Sequence, residues 1–543
     1  MAATMLTPVA IWQRPSTQHL FAGQGQMAEG MLWTQYTAAL VKELSARSAM
    51  LPSAQPLLLV CDRNPVLIAA AFWAALLAGW DVALTNPRWG RAEWQSVSQQ
   101  LQPSAWLLAP DSDLLNYWEG HTEPFGTADG LFGGRLCASR AKNPKDASEA
   151  SFISAQKTQT PRILIPTGGS SGQVKFVCHC WASLMASVEG FCKFFQANGK
   201  SAEKSSPRPV KSYCVLPMYH VSGLMQMLRA AATDGTVLFS SFRQLETAPP
   251  LVTDPQDWFI SLVPTQLTRL IRANKAGWLS GFQTVLLGGA PAWPTLLDQA
   301  RSRHIPLCLS YGMTETAAMV TALSPQDFLQ GCTSSGQPLP HADVRIEQTG
   351  RPMPTGQSGQ VVVRSGAIAQ GYYASSTSAF TRNTFHTDDM GYFSADGQLH
   401  LTGRLSQKII SGGENIFPAE VEAALRATGQ VVDVCVLGLP HPDWGEAVAA
   451  AYVPATADVS PASLKAALSQ QASSQLPHAA PLLSHYKHPK RWFALSALPR
   501  NAQGKLNRAA LLNALEKSQH LEKTLPPSAS APLARPDGVV SAG

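Results

Sequence analysis

Apolar and polar positions follow two rhythms along the chain. Through residue 290, short apolar runs alternate with longer helical stretches: PLLLVC (56–61) precedes VLIAAAFWAALLAGW (66–80), and RILIP (162–166), YCVLP (213–217), WFISLVP (258–264) and TVLLGGA (284–290) follow. Runs of this length, closed by turn residues and separated by helix-sized segments, predict βα units with largely parallel, buried strands. The 66–80 run is bracketed by Asp62, Arg63 and Asp81; it is too short to span a bilayer and predicts a buried helix. Further on, HADVRIEQTG (341–350) and GQVVVRSGAIAQGYY (359–373) read strand, turn, strand, which predicts a small antiparallel, barrel-like unit. After HLTGRLSQ (400–407) an α+β pattern returns, with AEVEAALRAT (419–428) as an amphipathic helix and VVDVCVLGLP, AVAAAYVP and RWFALSALP as strands. The expected fold class is therefore α/β with an α+β C-terminal part.

Composition narrows the class of molecule. A chain of 543 residues exceeds what one hydrophobic core serves, so a large N-terminal body and a smaller unit behind it are expected. Hydrophobic residues at 45% against 14% charged exclude a disordered or fibrous protein. The net charge of +6 is not gathered into a stripe, which argues against a nucleic-acid partner. The local basic excess GKSAEKSSPRPVK (199–211) reads as a solvated loop or as a contact to substrate phosphates. Cys178, Cys180 and Cys192 lie near His179 but lack a second C-x-x-C pair, so free thiols in a reducing cytoplasm are expected rather than a zinc site. The opening MAATMLTPVAIWQRPS lacks a basic segment followed by an apolar one and does not read as a signal peptide. The final TLPPSASAPLARPDGVVSAG has little to bury and reads as part of a disordered tail, 516–543. Small-molecule partners are expected, with no membrane span; homo-oligomerisation is left open.

Four segments carry candidate chemistry. RILIPTGGSSGQVKF (162–176) runs from a strand into a Gly/Ser loop and a lysine, without Walker spacing. Its Gly168, Gly169 and Gly172 admit backbone N–H groups to an anion, Thr167, Ser170 and Ser171 add hydroxyls, and Lys175 adds a charge. A plain glycine-rich turn fits those residues equally. In LSYGMTETAAM (309–319), Glu315 beside hydroxyls at a strand end suits Mg2+, with Thr314 on a phosphate oxygen; helix capping is the competing reading. In FHTDDMGY…LTGR (385–404), Asp389 could accept from a ribose diol and Arg404 offers a planar donor fork, against a turn aspartate and a surface arginine. In LPRNAQGKLNRAAL (498–511), Lys505 follows a glycine on a polar loop, where a lone lysine is usually just solvated.

Taken in order, these four segments resemble the adenylate-forming superfamily of acyl-CoA synthetases, peptide-synthetase adenylation domains and luciferases, over roughly residues 35–512. Within it, LPMYHVSGLMQMLRAAATDGT (216–236), FISLVPTQLTRLI (259–271), VLLGGAPAWPTLLDQA (285–300) and PTGGSSGQ resemble the o-succinylbenzoate–CoA ligases of menaquinone and phylloquinone synthesis. The resemblance implies a two-step reaction on ATP, Mg2+, a carboxylic acid and coenzyme A. It implies an N-terminal ATP- and acid-binding domain (1–403) and a mobile C-terminal domain (404–515) carrying the lysine loop. The hinge falls at 404–407, where Ser406 stands in place of the frequent Asp or Lys. Lys505, Glu315 and Thr314 would be catalytic. Gly289, Ala290 and Tyr311 would lie by the adenine, and Asp389 and Arg404 on the ribose. His220 would gate the acid pocket, with Ser261 and Thr265 lining it. Arg229, in the apolar stretch GLMQMLRAAA, must find an anion if buried, either the acid's second carboxylate or a protein carboxylate, unless it snorkels to solvent. A ligase for another aryl or fatty acid, adenylation without CoA transfer, and a non-catalytic acyl-adenylate binder remain the alternatives.

Overall fold

The computed structural model describes residues 6–22, 26–48, 51, 55–108, 122–124, 135–139, 160–168, 174–197, 208–375, 377–411, 414–471, 483–500, 506–508 and 510–515. Two eight-stranded sheets form the body. In one, Thr236–Phe239, Lys211–Cys214, Trp258–Leu262, Thr284–Leu287 and Leu307–Met313 run parallel before Ala318–Ala322 turns antiparallel. In the other, Ala105–Leu108, Leu57–Cys61, Asp81–Leu84 and Arg162–Gly168 are parallel, and Val174–Cys180 folds back on the last of them.

The unbroken apolar runs are explained by burial on both faces. Leu58 and Val60 point into the core between the sheets, while Leu57, Leu59 and Cys61 alternate into a second core on the outer face. The other sheet does the same, sending Cys214 and Leu286 to the central core and Tyr213 and Val285 outward. Helices Pro65–Leu77, Trp181–Ala197 and Val221–Ala232 fill the central layer. The first is the helix expected from the 66–80 run; Leu67 to Leu76 are all buried, and Asn64 caps it by accepting from the Val66 N–H at 2.9 Å. No helix among the described residues is long and apolar enough to cross a membrane.

The expected antiparallel unit is a curled six-stranded sheet in which Gly359–Ser365 is flanked by Ala342–Gln348 and Thr384–Phe393, with Leu399–Arg404 beyond. Residues from 409 onward build a separate sheet whose long pair is Val431–His441 and Gly445–Pro454. Helix Pro418–Ala427 packs Val421, Ala424 and Leu425 into that unit's own core. The tail expected at 516–543 lies outside the described residues.

Candidate active site

The strand pair Arg162–Gly168 and Val174–Cys180 brings the two ends of the Gly/Ser loop together, with Thr167 directly opposite Lys175. Arg162 anchors the pair: its backbone N–H and its Nε each donate to Asp81 at 2.7 Å. Gly169, Ser170, Ser171 and Gly172, at the loop tip, lie outside the described residues. Below the loop, His179 is fully buried, with Nε2 2.7 Å from the Thr314 carbonyl and Nδ1 2.9 Å from Ser183 Oγ. Burial pulls its pKa down to about 4, so the ring is neutral and acts as a strut between the loop strands and Thr314. No group of three or more His, Cys, Asp or Glu able to hold a metal occurs among the described residues.

Thr314 and Glu315 sit in a single 3-10 turn, Thr314–Thr316, at the end of strand Leu307–Met313. The chain then doubles back through Ala317 and Ala318 at φ of +50° and +83°, conformations costly for residues with a side chain. Gly312 permits the fold-back, since a Cβ there would stand 2.0 Å from the Ala318 carbonyl oxygen. The turn is held by Thr316 Oγ1, which accepts from the Met313 N–H at 3.0 Å, and by Ser187, which donates to the Ala317 carbonyl at 2.6 Å. The strained backbone thus presents a buried Glu315, whose Oε1 accepts from the Tyr372 hydroxyl at 2.7 Å. Burial, with Glu315 alongside, raises the Tyr372 pKa, so the phenol stays protonated and donating. Lys175 Nζ lies 5.3 Å from the centroid of the same ring. Glu315 makes no ion pair among the described residues, and its carboxylate fits a hard divalent cation sharing its remaining ligands with phosphate oxygens and water.

Asp389 and Arg404, fifteen positions apart, are brought opposite each other by strands Thr384–Phe393 and Leu399–Arg404. Arg404 Nε donates to Asp389 Oδ1 at 3.0 Å, and the Tyr311 hydroxyl donates to Oδ2 at 2.9 Å. Burial and the adjacent carboxylate raise the Tyr311 pKa well above its usual value. Gly289 (φ +79°) and Ala290 follow strand Thr284–Leu287, which pairs with the strand bearing Tyr311. The neighbouring Asp388 serves the 404–407 segment instead: its Oδ1 accepts from the Ser406 N–H at 2.9 Å, and its Oδ2 from the Ser406 hydroxyl. Lys505 lies outside the described residues; Arg500 and Leu506, bridged to each other, pinch the ends of its loop.

His220 stands at the N-cap of helix Val221–Ala232, its ring 4.7 Å from that of Tyr219. Gly223 lets the 216–220 segment cross the helix start, because a Cβ there would meet the Pro217 carbonyl oxygen at 2.2 Å. Arg229, on the same helix, is only 3% exposed. Its guanidinium lies 4.0 Å from the Phe191 ring centroid; its Nε has no hydrogen-bond partner, and no protein carboxylate pairs with it among the described residues. Burial lowers its pKa to about 10, which leaves it charged at neutral pH. Among the described residues Arg229 neither reaches solvent nor pairs with a protein carboxylate, the two competing expectations. Ser261 is half-buried in strand Trp258–Leu262, whereas Thr265 is exposed in the first turn of the next helix, Pro264–Arg272. Sequence reasoning missed Tyr372, His179 and Asp388; a tyrosine in GYY and a histidine between two cysteines carry no spacing signal for these contacts.

Residues 51–373 match the AMP-binding enzyme family, and residues 420–505 match the AMP-binding enzyme C-terminal domain. The 2-succinylbenzoate–CoA ligase of Bacillus velezensis is 29% identical over 464 residues, covering 85% of this chain and 88% of that protein. That of Enterococcus faecalis is 32% identical over 371 residues, covering 67% and 72%. Among solved structures, o-succinylbenzoate CoA synthetase from Bacillus subtilis in complex with the acyl-adenylate intermediate OSB-AMP matches with a TM-score of 0.70 at 25% identity, over 88% of this chain and 92% of that one. The same enzyme in complex with ATP and magnesium ion matches with a TM-score of 0.69 at 25% identity, over 88% and 93%.

Proposed function

This chain belongs to the AMP-binding enzyme family, and on that premise we propose that it is an AMP-forming acid–thiol ligase that activates o-succinylbenzoate and transfers it to coenzyme A. A carboxylate is a poor acyl donor because its leaving group would be oxide. In the first half-reaction the carboxylate oxygen attacks the α-phosphorus of ATP, the α–β bridging bond breaks, and pyrophosphate leaves. In the second, the thiol sulfur of coenzyme A attacks the acyl carbon, the acyl–oxygen bond to AMP breaks, and the thiol proton passes to solvent. Positioning and charge neutralisation dominate the first step. Lys505 bridges the attacking carboxylate and the α-phosphate, while Thr314 and the 167–175 loop bind phosphate oxygens. Asp389 and Arg404 take the ribose hydroxyls, and Gly289, Ala290 and Tyr311 border the adenine. A Mg2+ held by Glu315 would neutralise charge on the departing pyrophosphate.

The observation that carries the choice of acid is Arg229, a buried guanidinium unpaired by any protein carboxylate among the described residues. Burying an unpaired charge is costly, and a second carboxylate on the substrate relieves that cost. The relatives named 2-succinylbenzoate–CoA ligase support the same choice, and with it a role in quinone biosynthesis. The hinge at 404–407 separates the domain 1–403 from 404–515, which turns between half-reactions to withdraw the lysine loop. The free thiols at Cys178, Cys192 and Cys214 suit a reducing compartment, and the cytoplasm is the proposed site of action. Pyrophosphate release across a panel of carboxylic acids, with and without coenzyme A, tests the reading. Release and thioester should both be highest with o-succinylbenzoate; a preference for a monocarboxylate, or pyrophosphate without thioester when coenzyme A is present, overturns it.

A further inference from the structure

Lys175 and Glu315, the cation and anion assigned to the phosphates and the metal, approach the same tyrosine from different sides yet do not pair with each other. The Tyr372 hydroxyl donates to Glu315 Oε1 at 2.7 Å, and Lys175 Nζ stands 5.3 Å from the Tyr372 ring centroid. Neither charge forms an ion pair among the described residues. The segment that carries the tyrosine is tied to both partners' backbones. Strand Gly371–Tyr372 pairs with Val177 and Cys178 of the strand that carries Lys175, and the Tyr373 N–H donates to the Phe176 carbonyl at 2.8 Å. On the other side, the Ala369 N–H donates to the Glu315 carbonyl at 2.9 Å. The Phe380 ring closes the outer edge, 5.3 Å from that of Tyr372.

We propose that Tyr372 is a positioning residue that keeps Lys175 and Glu315 from neutralising each other, leaving the ammonium for the triphosphate and one carboxylate oxygen for the metal. The inference rests on the adenylation reading above. A direct ion pair would have to be broken before either group met its ligand. The phenol avoids this in two ways. As a neutral donor it occupies one oxygen of Glu315 and leaves the other available, and its ring face attracts the ammonium without cancelling its charge.

The two roles are separable by ATP binding, measured by titration calorimetry on the full-length protein in EDTA and in Mg2+. Tyr372→Phe keeps the ring and loses the hydrogen bond. Its ATP affinity in EDTA should stay within about twofold of the wild type, while the gain in affinity conferred by Mg2+ shrinks about tenfold. Tyr372→Leu lets Lys175 reach Glu315, so ATP affinity should fall about tenfold even in EDTA. Adding Glu315→Gln to Tyr372→Leu removes the competing anion and should restore that affinity, a rescue that a merely structural role for the ring cannot produce. Failure of the rescue in a double variant whose melting curve shows it folded, or an unchanged Mg2+ gain in Tyr372→Phe, overturns the proposal. Should Tyr372→Leu fail to fold, the Mg2+ gain in Tyr372→Phe decides alone. Wild-type protein whose ATP binding shows no Mg2+ gain contradicts the adenylation reading itself, which separates that failure from this one.

Discussion

The two ends of the proposed nucleotide site, ribose and phosphate, manage charge in opposite ways. At the ribose end Asp389 is already satisfied, one oxygen by Arg404 and the other by Tyr311, and its strand sets it directly opposite Arg404. At the phosphate end a strained turn presents Glu315 to the Tyr372 hydroxyl, Lys175 lies against the same ring, and neither charge forms an ion pair among the described residues. A ribose diol therefore exchanges for bonds that already exist, so the net gain is modest and the contact chiefly selects geometry. Triphosphate and metal would instead meet charges that have no ion pair to give up among the described residues. Substitutions should accordingly cost more at the phosphate end than at the ribose end.

The largest effect is expected at Lys505, the lysine proposed to act on the reacting phosphorus. Lys505→Ala should lower acyl-adenylate formation by about a thousandfold or more while leaving conversion of supplied acyl-adenylate and coenzyme A to thioester nearly intact. Rapid-quench assays of the two half-reactions check this, and equal losses in both would remove the lysine from adenylation. Glu315→Gln should follow, with a loss of about one hundred- to a thousandfold in kcat/KM for ATP at fixed Mg2+, partly recovered as Mg2+ is raised. Asp389→Ala should weaken apparent ATP affinity only about ten- to a hundredfold, because Arg404 and Tyr311 are released to solvent or ligand. If Asp389→Ala proves the more damaging of these two, the contrast between the ends is wrong.

A smaller effect concerns the strut beneath the loop. His179 is held neutral with its pKa near about 4, whereas in the unfolded chain it titrates near 6.5. The unfolded state therefore binds a proton that the folded state refuses, so stability is complete above about pH 6.5 and falls as pH drops toward 4. The gap corresponds to roughly 3 kcal/mol at the acid limit. His341, also lowered to about 4 by burial, adds to the same slope. Melting temperature should decline from pH 7.5 to pH 5 in the wild type and decline less steeply in His179→Asn, and parallel slopes would assign the acid sensitivity elsewhere.

Much of this was legible in the sequence where local pattern decides structure. Short apolar runs such as Leu57–Cys61 between helix-sized segments read as strands of βα units, and the alternation of their side chains between two cores follows from the period of the strand. Asp389 and Arg404 were legible as a pair because a turn between adjacent antiparallel strands returns the second residue to the first. Contacts set by how separate layers dock were not legible. Tyr372 and Glu315, fifty-seven residues apart, and His179 and Thr314, one hundred and thirty-five apart, meet only because the loop strands and the strained turn pack together. For Arg229, the apolar flanks left burial and snorkelling both open, and only the structure shows the side chain buried against an aromatic ring.

The assignment of a dicarboxylic substrate rests on Arg229, and a double cycle tests it most directly. Wild type and Arg229→Ala would each be assayed for kcat/KM with o-succinylbenzoate and with an aryl-keto acid that lacks the ring carboxylate. Removing the guanidinium should cost about thirty- to several thousandfold with o-succinylbenzoate and little with the analogue, which the wild type should itself use poorly, and Arg229→Lys should recover only part of the loss. A loss of equal size with both acids would make Arg229 structural and contradict the assignment.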